Sequence, residues 1–255
     1  MSVHIAVVGA TGLVGQTMLK VLKEHDFPVH RLTLLASKRS AGKKINFNGQ
    51  EYEVQELTKD SFKGIDIALF SAGSGPSKEF APYAAAAGCV VVDNSSAWRM
   101  HPEVPLVVPE VNAHAIDLHK GIIANPNCST IQLVVALKPL HDKYVLKRVI
   151  VSTYQSISGA GQTGVDQLMG ELAGTAKETP YPHPIAFNTM FHPIAEYDGF
   201  SEEEIKVKNE TRKIMEIPDL RVAVTCVRLP ILGGHGESVN IETEHPFTPR
   251  ELRDT

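Results

Sequence analysis

The 255-residue sequence lacks long runs of apolar residues and long runs of charge of one sign. No apolar run reaches the roughly 18 residues that a transmembrane helix needs, and the first residues do not resemble a cleavable signal peptide. We therefore expect a cytoplasmic protein without a membrane partner. The formal net charge of -4, without a basic run, does not favour nucleic acid as a partner either, and a small polar metabolite fits better.

Cysteine is scarce, and this limits the role of disulfides. Cys89, Cys128 and Cys226 lie far apart and are odd in number, which argues against a disulfide framework and is typical of a reducing compartment. Cys89 and Cys226 lie in apolar runs and are predicted to be small buried core residues. No HExxH motif or Cys/His cluster indicates a metal site.

In the first half of the chain, apolar runs alternate with segments of helical spacing. Residues 3–9 predict a strand, 13–23 a helix and 31–36 a second strand, which together form a βαβ unit. Further strands are predicted at 66–71, 89–93, 106–108 and 122–125, and a helix at 76–87. The alternation predicts an α/β fold with a Rossmann-type, doubly wound, mostly parallel sheet.

The pattern changes after residue 128. A helix is predicted from about 130 to 141, and the longer alternating runs are typical of strands in a mixed or antiparallel sheet. These strands are predicted at 145–155, 220–229 and 238–244, helices at 162–173 and 202–215, and an irregular stretch at 175–193. We place the domain boundary so that residues 1–129 form the dinucleotide domain and 130–255 an α+β domain with a mixed sheet.

A glycine-rich loop, GATGLVG, joins the first predicted strand to the first predicted helix. Glycines allow a tight turn there, and backbone N–H groups at a helix start can hold a pyrophosphate. The spacing is GxxGxxG, and an ordinary strand-to-helix turn is the alternative. The predicted cofactor contacts are Gly9, Thr11, Gly12, Leu13 and Val14.

The end of the second strand bears on the choice of cofactor. An NAD site would place an acidic residue there to bind the ribose hydroxyls, but this chain has Ser37, Lys38, Arg39 and Ser40. Cationic and hydroxyl groups would instead pair with a 2'-phosphate, so we predict NADP, with contacts from Arg39 and Ser40. A solvated basic loop is the alternative.

Cys128 follows a predicted strand and a proline and precedes an apolar helix. A sulfur at a helix N-terminus is favoured as a thiolate by the helix dipole and nearby N–H groups. This position makes Cys128 a candidate nucleophile, with an inert helix-start cysteine as the alternative.

The chain resembles the aspartate-semialdehyde dehydrogenases over essentially its whole length. The motifs that carry the resemblance occur in family order: GATGLVG, SKRSAGK, SSAWR, NPNCST, QSISGAG, EEIKVKNETRKI and RLPILGGHGESV. NPNCST is the most specific of them, because the related N-acetylglutamyl-phosphate reductases have a different sequence around the cysteine. Reduction of such another acyl phosphate is the rival reaction.

The resemblance implies NADP-dependent, reversible reductive dephosphorylation of L-aspartyl 4-phosphate to L-aspartate 4-semialdehyde, a step in lysine, methionine and threonine biosynthesis. Cys128 would form the thioester. His235 matches the acid/base histidine and Gln155 the glutamine that orients the substrate. Ser158 and Gly159 match contacts near the nicotinamide. Without the resemblance, His235 would be interpreted as a turn residue and Gln155 as a polar strand end.

The substrate carboxylate and inorganic phosphate both need cationic groups. Arg228 matches the carboxylate-binding arginine, whereas Arg99 and Lys206 match the phosphate-binding pair. Glu203 resembles the acidic group near the substrate amine. The alternative for Glu203 and Lys206 is an exposed i,i+3 ion pair on a charged helix.

The resemblance also implies a homodimer, with the second domain serving catalysis and dimerisation. Family members continue beyond the strand that corresponds to IETEH, so we expect a C-terminal segment to be missing, since the helix beginning at residue 249 stops abruptly. A catalytically silent NADP-binding or dimer-forming module is therefore a second hypothesis. The complete set of Cys128, Gln155, Arg228 and His235 argues against it. A cysteine protease is disfavoured because the glycine loop would have no use.

Overall fold

The computed structural model describes residues 3–175, 181–194 and 199–255. The chain divides into two compact units: Met1–Val107 with Ala113–Pro126, and Val108–Asn112 with Asn127–Thr255. Residues 176–180, inside the stretch predicted to be irregular, lie outside the described part. Among the described residues, no helix combines the length and the apolar character needed to cross a membrane.

The first unit is built on a parallel sheet with helices between its strands. Its elements are β1 (Val3–Val8), α1 (Leu13–Glu24), β2 (Val29–Ala36), β3 (Lys44–Phe47), β4 (Gln50–Glu56), β5 (Ile67–Phe70), α2 (Ser74–Ala86), β6 (Val90–Asp93) and β7 (Ile122–Ala124). The strand order is β3-β4-β2-β1-β5-β6-β7. All neighbouring pairs are parallel except β3 with β4. The predicted doubly wound sheet is confirmed.

The central strand β1 is covered on both faces, and Ile5 to Val8 are 1% exposed or less. Continuous apolar sequence is what a strand buried on both faces requires. The prediction of a strand at 106–108 is wrong: Leu106 forms only an isolated bridge with Ala124. Strands β3 and β4 were not predicted, because their sequences KINF and QEYEVQE are short and rich in polar residues.

The second unit contains a mixed sheet packed with helices. Its elements are α3 (Pro109–Asn112), α4 (Cys128–Tyr144), β8 (Leu146–Ser156), α5 (Gln162–Leu172), β9 (Met190–Phe191), α6 (Glu202–Met215), β10 (Arg221–Leu229), β11 (Gly236–Thr243) and α7 (Pro249–Arg253). The strand order is β11-β8-β10-β9. Strands β8 and β10 are parallel, whereas β11 and β9 run antiparallel to their neighbours. The predicted mixed sheet is confirmed.

The register of this sheet brings three distant parts of the chain together. Gln155 near the end of β8 is paired with Arg228 near the end of β10. On the other side of β8, Tyr154 is paired with Gly236, the first residue of β11. His235 directly precedes Gly236, so the sheet positions Gln155, Arg228 and His235 at one end of adjacent strands.

Candidate active site

Asn127 starts helix α4 and thereby sets the position of Cys128. Its Oδ1 accepts hydrogen bonds from the backbone N–H groups of Ser129 at 2.9 Å and Thr130 at 3.4 Å. Asparagine is among the preferred N-cap residues because its side chain satisfies these otherwise unpaired donors. The helix therefore begins at Cys128, two residues earlier than predicted, and Cys128 is its first residue.

The sulfur of Cys128 lies beside the ring of His235. The distance from Sγ to Nε2 is 3.0 Å. On the other side of the ring, the backbone N–H of Ser156 donates to Nδ1 at 3.0 Å. Because Nδ1 accepts this hydrogen bond, it carries no proton, and the neutral ring must carry its proton on Nε2. His235 thus presents an N–H group to the sulfur.

Burial keeps both groups of this pair in their neutral forms. Cys128 is open to solvent on one side, yet burial by its other neighbours raises the pKa of its thiol, and the charge of Glu203 raises it further. Burial lowers the pKa of His235, as does the nearby Arg228. A thiolate–imidazolium pair is therefore disfavoured at rest. Cys89 and Cys226 are buried, as predicted, and burial raises the pKa of each to about 12.

Gln155 and Glu203 form a buried network next to the helix start. Gln155 is completely buried, and its Nε2 donates to Ser129 Oγ at 3.1 Å and to Glu203 Oε1 at 3.2 Å. The same Glu203 oxygen accepts from Asn127 Nδ2 at 2.7 Å. This network ties Gln155 and Glu203 to Asn127, the residue that caps the helix of Cys128.

Glu203 is a half-buried, ionised carboxylate. Burial alone would raise the pKa of Glu203, but the Asn127 hydrogen bond and the charge of Lys206 outweigh it and lower the pKa. The side chain is 14% exposed, and Lys206 Nζ lies 3.6 Å from Glu203 and 3.7 Å from Glu202. Glu203 and Lys206 do form the i,i+3 ion pair. The Glu203 side chain is largely covered, however, so the pair is not the fully exposed one that the alternative interpretation requires.

A cavity opens beside this pair. It has a volume of about 380 Å³ and is lined by His192, Pro193, Ile194, Glu202, Glu203 and Lys206. Sites for small metabolites are typically of this size and combine apolar walls with a few polar groups. The carboxylate and ammonium groups on one wall could bind a zwitterionic ligand.

Arg228 lies buried against the turn that follows β8. It is 7% exposed, and its Nη1 donates to the carbonyl oxygen of Ser156 at 2.7 Å. Its Nε is buried and has no hydrogen-bond partner among the described residues. A buried guanidinium donor without a partner is costly, and an anionic ligand would satisfy it.

Ser158 and Gly159 belong to this same turn. Ser158 Oγ lies 2.7 Å from Ser156 Oγ. A side chain on Gly159 would place its Cβ 2.6 Å from Arg228 Nη1 and 3.3 Å from His235 Cε1. A side chain at position 159 would therefore displace the guanidinium of Arg228.

In the first unit, the glycine loop has the geometry of a nucleotide-binding turn. Gly9 has a φ of +85°, and a Cβ on Gly15 would lie 2.3 Å from the Gly9 carbonyl oxygen. Helix α1 begins after Gly12, and no side chain caps it. The exposed first turn, with Leu13 and Val14 at its start, leaves backbone N–H groups that fit a pyrophosphate.

The basic residues after β2 lie next to this loop. The N–H groups of Gly9 and Ala10 donate to the carbonyl oxygen of Leu35 at 2.8 and 3.2 Å. A 3-10 turn, Lys38–Ser40, follows directly after β2, with Lys38 and Arg39 exposed and Ser40 buried. These residues fit a phosphorylated dinucleotide.

Arg99 belongs to the first unit and Lys206 to the second. Arg99 is 8% exposed, and its guanidinium donates to the carbonyl oxygens of Asn125 and Asn94, both at 3.0 Å. Backbone carbonyls therefore hold its orientation. Its predicted role toward phosphate remains a prediction.

Several residues of this network were not predicted, namely Asn127, Ser129, Ser156, His192 and Glu210. Glu210 is 1% exposed and accepts from the Asn127 backbone N–H at 2.6 Å. It lies two helical turns after Glu203, on the same helix face, a spacing that was a usable signal. Among the described residues, no group of His, Cys, Asp and Glu could hold a metal ion.

Comparison with known proteins shows the family. Residues 4–119 match the family described as "Semialdehyde dehydrogenase, NAD binding domain", and residues 137–255 match "Semialdehyde dehydrogenase, dimerisation domain". The aspartate-semialdehyde dehydrogenase of Aquifex aeolicus is 54% identical over 100% of this chain and 78% of its own length. The chain belongs to the aspartate-semialdehyde dehydrogenase family.

Solved structures of this family agree with the fold. Aspartate semialdehyde dehydrogenase II of Vibrio cholerae, complexed with ASA, has a TM-score of 0.95 at 46% identity, covering 100% of this chain and 78% of its own. The Candida albicans enzyme with NADP has a TM-score of 0.79 at 27% identity, covering 100% of this chain and 75% of its own. The fold and family of the chain are therefore established.

Proposed function

We propose that the chain is an aspartate-semialdehyde dehydrogenase that interconverts L-aspartyl 4-phosphate and L-aspartate 4-semialdehyde, with NADP as its cofactor and inorganic phosphate as a co-substrate. The observation that carries the proposal is the 3.0 Å contact between Cys128 Sγ and the protonated Nε2 of His235. A positioned nucleophile and a near-neutral proton donor are the minimum that thioester chemistry needs.

In the oxidative direction, the Cys128 sulfur attacks the aldehyde carbon, and a thiohemiacetal forms. The Nε2–H of His235 gives its proton to the carbonyl oxygen while the vacated Nε2 takes the proton of the Cys128 thiol. The hydroxyl proton of the thiohemiacetal is then lost to solvent as the hydride leaves and the carbonyl re-forms as a thioester. Bound NADP would accept the hydride in this direction and supply it in the other. The Ser156 N–H holds the ring so that Nε2, and not Nδ1, performs both transfers.

The thioester then breaks on the side of the sulfur. An oxygen of inorganic phosphate attacks the carbonyl carbon, the Cys128 thiolate leaves, and the acyl phosphate is formed. The biosynthetic direction is the reverse of these steps. Phosphate requires cationic partners, and we assign this role to Lys206 and Arg99.

Recognition of the substrate is assigned to the buried polar groups. The partnerless Arg228 Nε would bind the α-carboxylate, and the ionised Glu203 would bind the α-ammonium group. Gln155 donates to Glu203 and is paired with Arg228 in the sheet, and it would orient the substrate. These assignments leave no charged group of the ligand without an opposite charge.

The preference for NADP rests on the exposed Lys38 and Arg39 and on Ser40 after β2, with the glycine loop holding the pyrophosphate. The NADP present in the Candida albicans structure supports this assignment. Ser158 and Gly159 are assigned to the nicotinamide end. We further propose a cytoplasmic homodimer, which the matched dimerisation domain supports, acting in lysine, methionine and threonine biosynthesis.

The test is phosphate-dependent NADP reduction with L-aspartate semialdehyde. We expect turnover by the parent chain, none by Cys128→Ala, and near-parent turnover by the matched control Cys89→Ala, which removes a buried cysteine remote in sequence. Turnover that survives in Cys128→Ala would contradict the thioester mechanism. Faster turnover with N-acetylglutamate semialdehyde would favour the rival reaction, and NADP binding without turnover would favour the silent module.

A further inference from the structure

His192 directly follows the short strand β9, whose Met190 is paired with Arg228 of β10. The pairing brings His192 to the buried amide of Gln155, where its Nε2 lies 3.0 Å from Gln155 Oε1. His192 also lines the cavity that contains Glu203 and Lys206. It thus contacts a group assigned to substrate orientation and faces the space assigned to the substrate.

The hydrogen-bond direction follows from the neighbours of the amide. Glu203 is an ionised carboxylate, which can only accept, so the Gln155 amide must turn its Nε2 toward Glu203. The oxygen Oε1 then faces His192. Since Oε1 can only accept, His192 must donate to it from Nε2, and this fixes the His192 tautomer.

Gln155 is completely buried, so no solvent can replace the hydrogen bond that His192 donates to its Oε1. A buried carbonyl oxygen that loses its hydrogen-bond partner is left unsatisfied, and this cost favours other orientations of the amide over the one that Ser129 and Glu203 hold. The charged groups that act on His192 are Arg228, Lys206, Glu203 and Glu204. None of the carboxylates among them can replace the donor.

We propose that His192 is a positioning residue that holds the Gln155 amide in the orientation needed to align the substrate with Cys128. The inference rests on the proposed function, because it concerns the substrate of that same site. It requires a hydrogen-bond donor at position 192 and no proton transfer by His192.

Two variants separate the donor from the bulk of the side chain. His192→Gln places an amide N–H close to the position of the imidazole Nε2, whereas His192→Leu fills similar space without a donor. We expect His192→Leu to lower kcat/KM about tenfold, because a factor of ten corresponds to the net contribution of about one hydrogen bond to a buried group. His192→Gln should stay within about threefold of the parent chain. His183→Leu, an exposed histidine earlier in the same segment, is the matched control and should change nothing.

The decisive experiment is a double-mutant cycle with Gln155→Leu, measured in kcat/KM and in urea unfolding. If His192 acts through Gln155, His192→Leu should have no further effect on either quantity in the Gln155→Leu background. Equal losses in both backgrounds would overturn the proposal. Coupling in unfolding alone would overturn the positioning role while leaving the contact intact.

The proposed function can fail separately from this inference. A parent chain without NADP-dependent turnover would overturn the proposed function and, with it, the positioning role. The unfolding cycle would still report on the contact between His192 and Gln155. An active parent chain without coupling would overturn only the inference about His192.

Discussion

Replacing Asn127 by Asp changes the network around Cys128 by a single group of equal size. Oδ1 of the new side chain can still accept from the Ser129 and Thr130 N–H groups, so the helix cap is retained. The amide Nδ2, which donates to Glu203 Oε1 at 2.7 Å, becomes a carboxylate oxygen. Two carboxylates at this distance cannot both be ionised, and one of them must hold a proton.

The energetic effect of Asn127→Asp follows from the pH. Holding a proton on a carboxyl of ordinary pKa about 4.3 costs about 1.4 kcal/mol for each pH unit above that value. We therefore expect a loss of unfolding free energy of about 1 kcal/mol at pH 5, which rises to roughly 3–4 kcal/mol at pH 7. In the variant the folded pKa is raised above the unfolded value, so stability is present at low pH and lost as the pH rises.

In the parent chain the sign is opposite. The folded pKa of Glu203 is lowered, so its contribution is present above the unfolded pKa and is lost as the pH falls. The stability difference between parent and variant must therefore grow with pH. Urea unfolding at a series of pH values measures it, with Asn127→Ser as an uncharged control that should show a nearly constant offset. A difference between parent and Asn127→Asp that stays flat with pH would refute this reasoning.

Three further predictions concern the thiol and the nucleotide loop. Because burial and Glu203 raise the pKa of Cys128, its alkylation by iodoacetamide at neutral pH should be slower than that of a free cysteine. Glu203→Gln should speed it up, and a parent rate that is already at its plateau at neutral pH would contradict this. Gly15→Ala, whose Cβ would lie 2.3 Å from a backbone carbonyl, should destabilise the chain by about 1–3 kcal/mol in thermal unfolding. Gly12→Ala, with its nearest such contact at 3.4 Å, should fold normally, and equal melting temperatures would refute the difference. Arg39→Glu should weaken NADP binding at least about tenfold in fluorescence titrations but leave NAD binding nearly unchanged, and a parallel loss for both would contradict the assignment.

Much of the fold could be predicted because its central strands are apolar on both faces. β1, β5 and β6 stand out as short apolar runs, and the alternation with α1 and α2 indicates a parallel sheet. The antiparallel pair β3 and β4 was missed because an edge pair is largely exposed and carries polar side chains. Burial, and not local propensity, makes a strand recognisable in sequence.

The candidate site was predictable only where a local motif marks it. Cys128 and His235 lie in distinctive motifs. They are 107 residues apart in sequence, however, and the 3.0 Å contact between them depends on the pairing of β11 with β8. The partial burial of Glu203 could not be predicted, since an i,i+3 Glu–Lys pair has the same sequence on an exposed and on a covered helix face. His192 has no motif, and its role depends on the pairing of β9 with β10.

In the proposed reaction the substrate becomes covalently attached to Cys128 as an acyl thioester. Mass spectrometry after incubation with L-aspartate semialdehyde and NADP, without phosphate, detects this intermediate. We predict an adduct on the peptide that contains Cys128, two hydrogens lighter than the thiohemiacetal, which disappears when phosphate is added. An adduct on another residue, or NADPH formation in the presence of phosphate without any adduct on Cys128 before phosphate is added, would contradict the account.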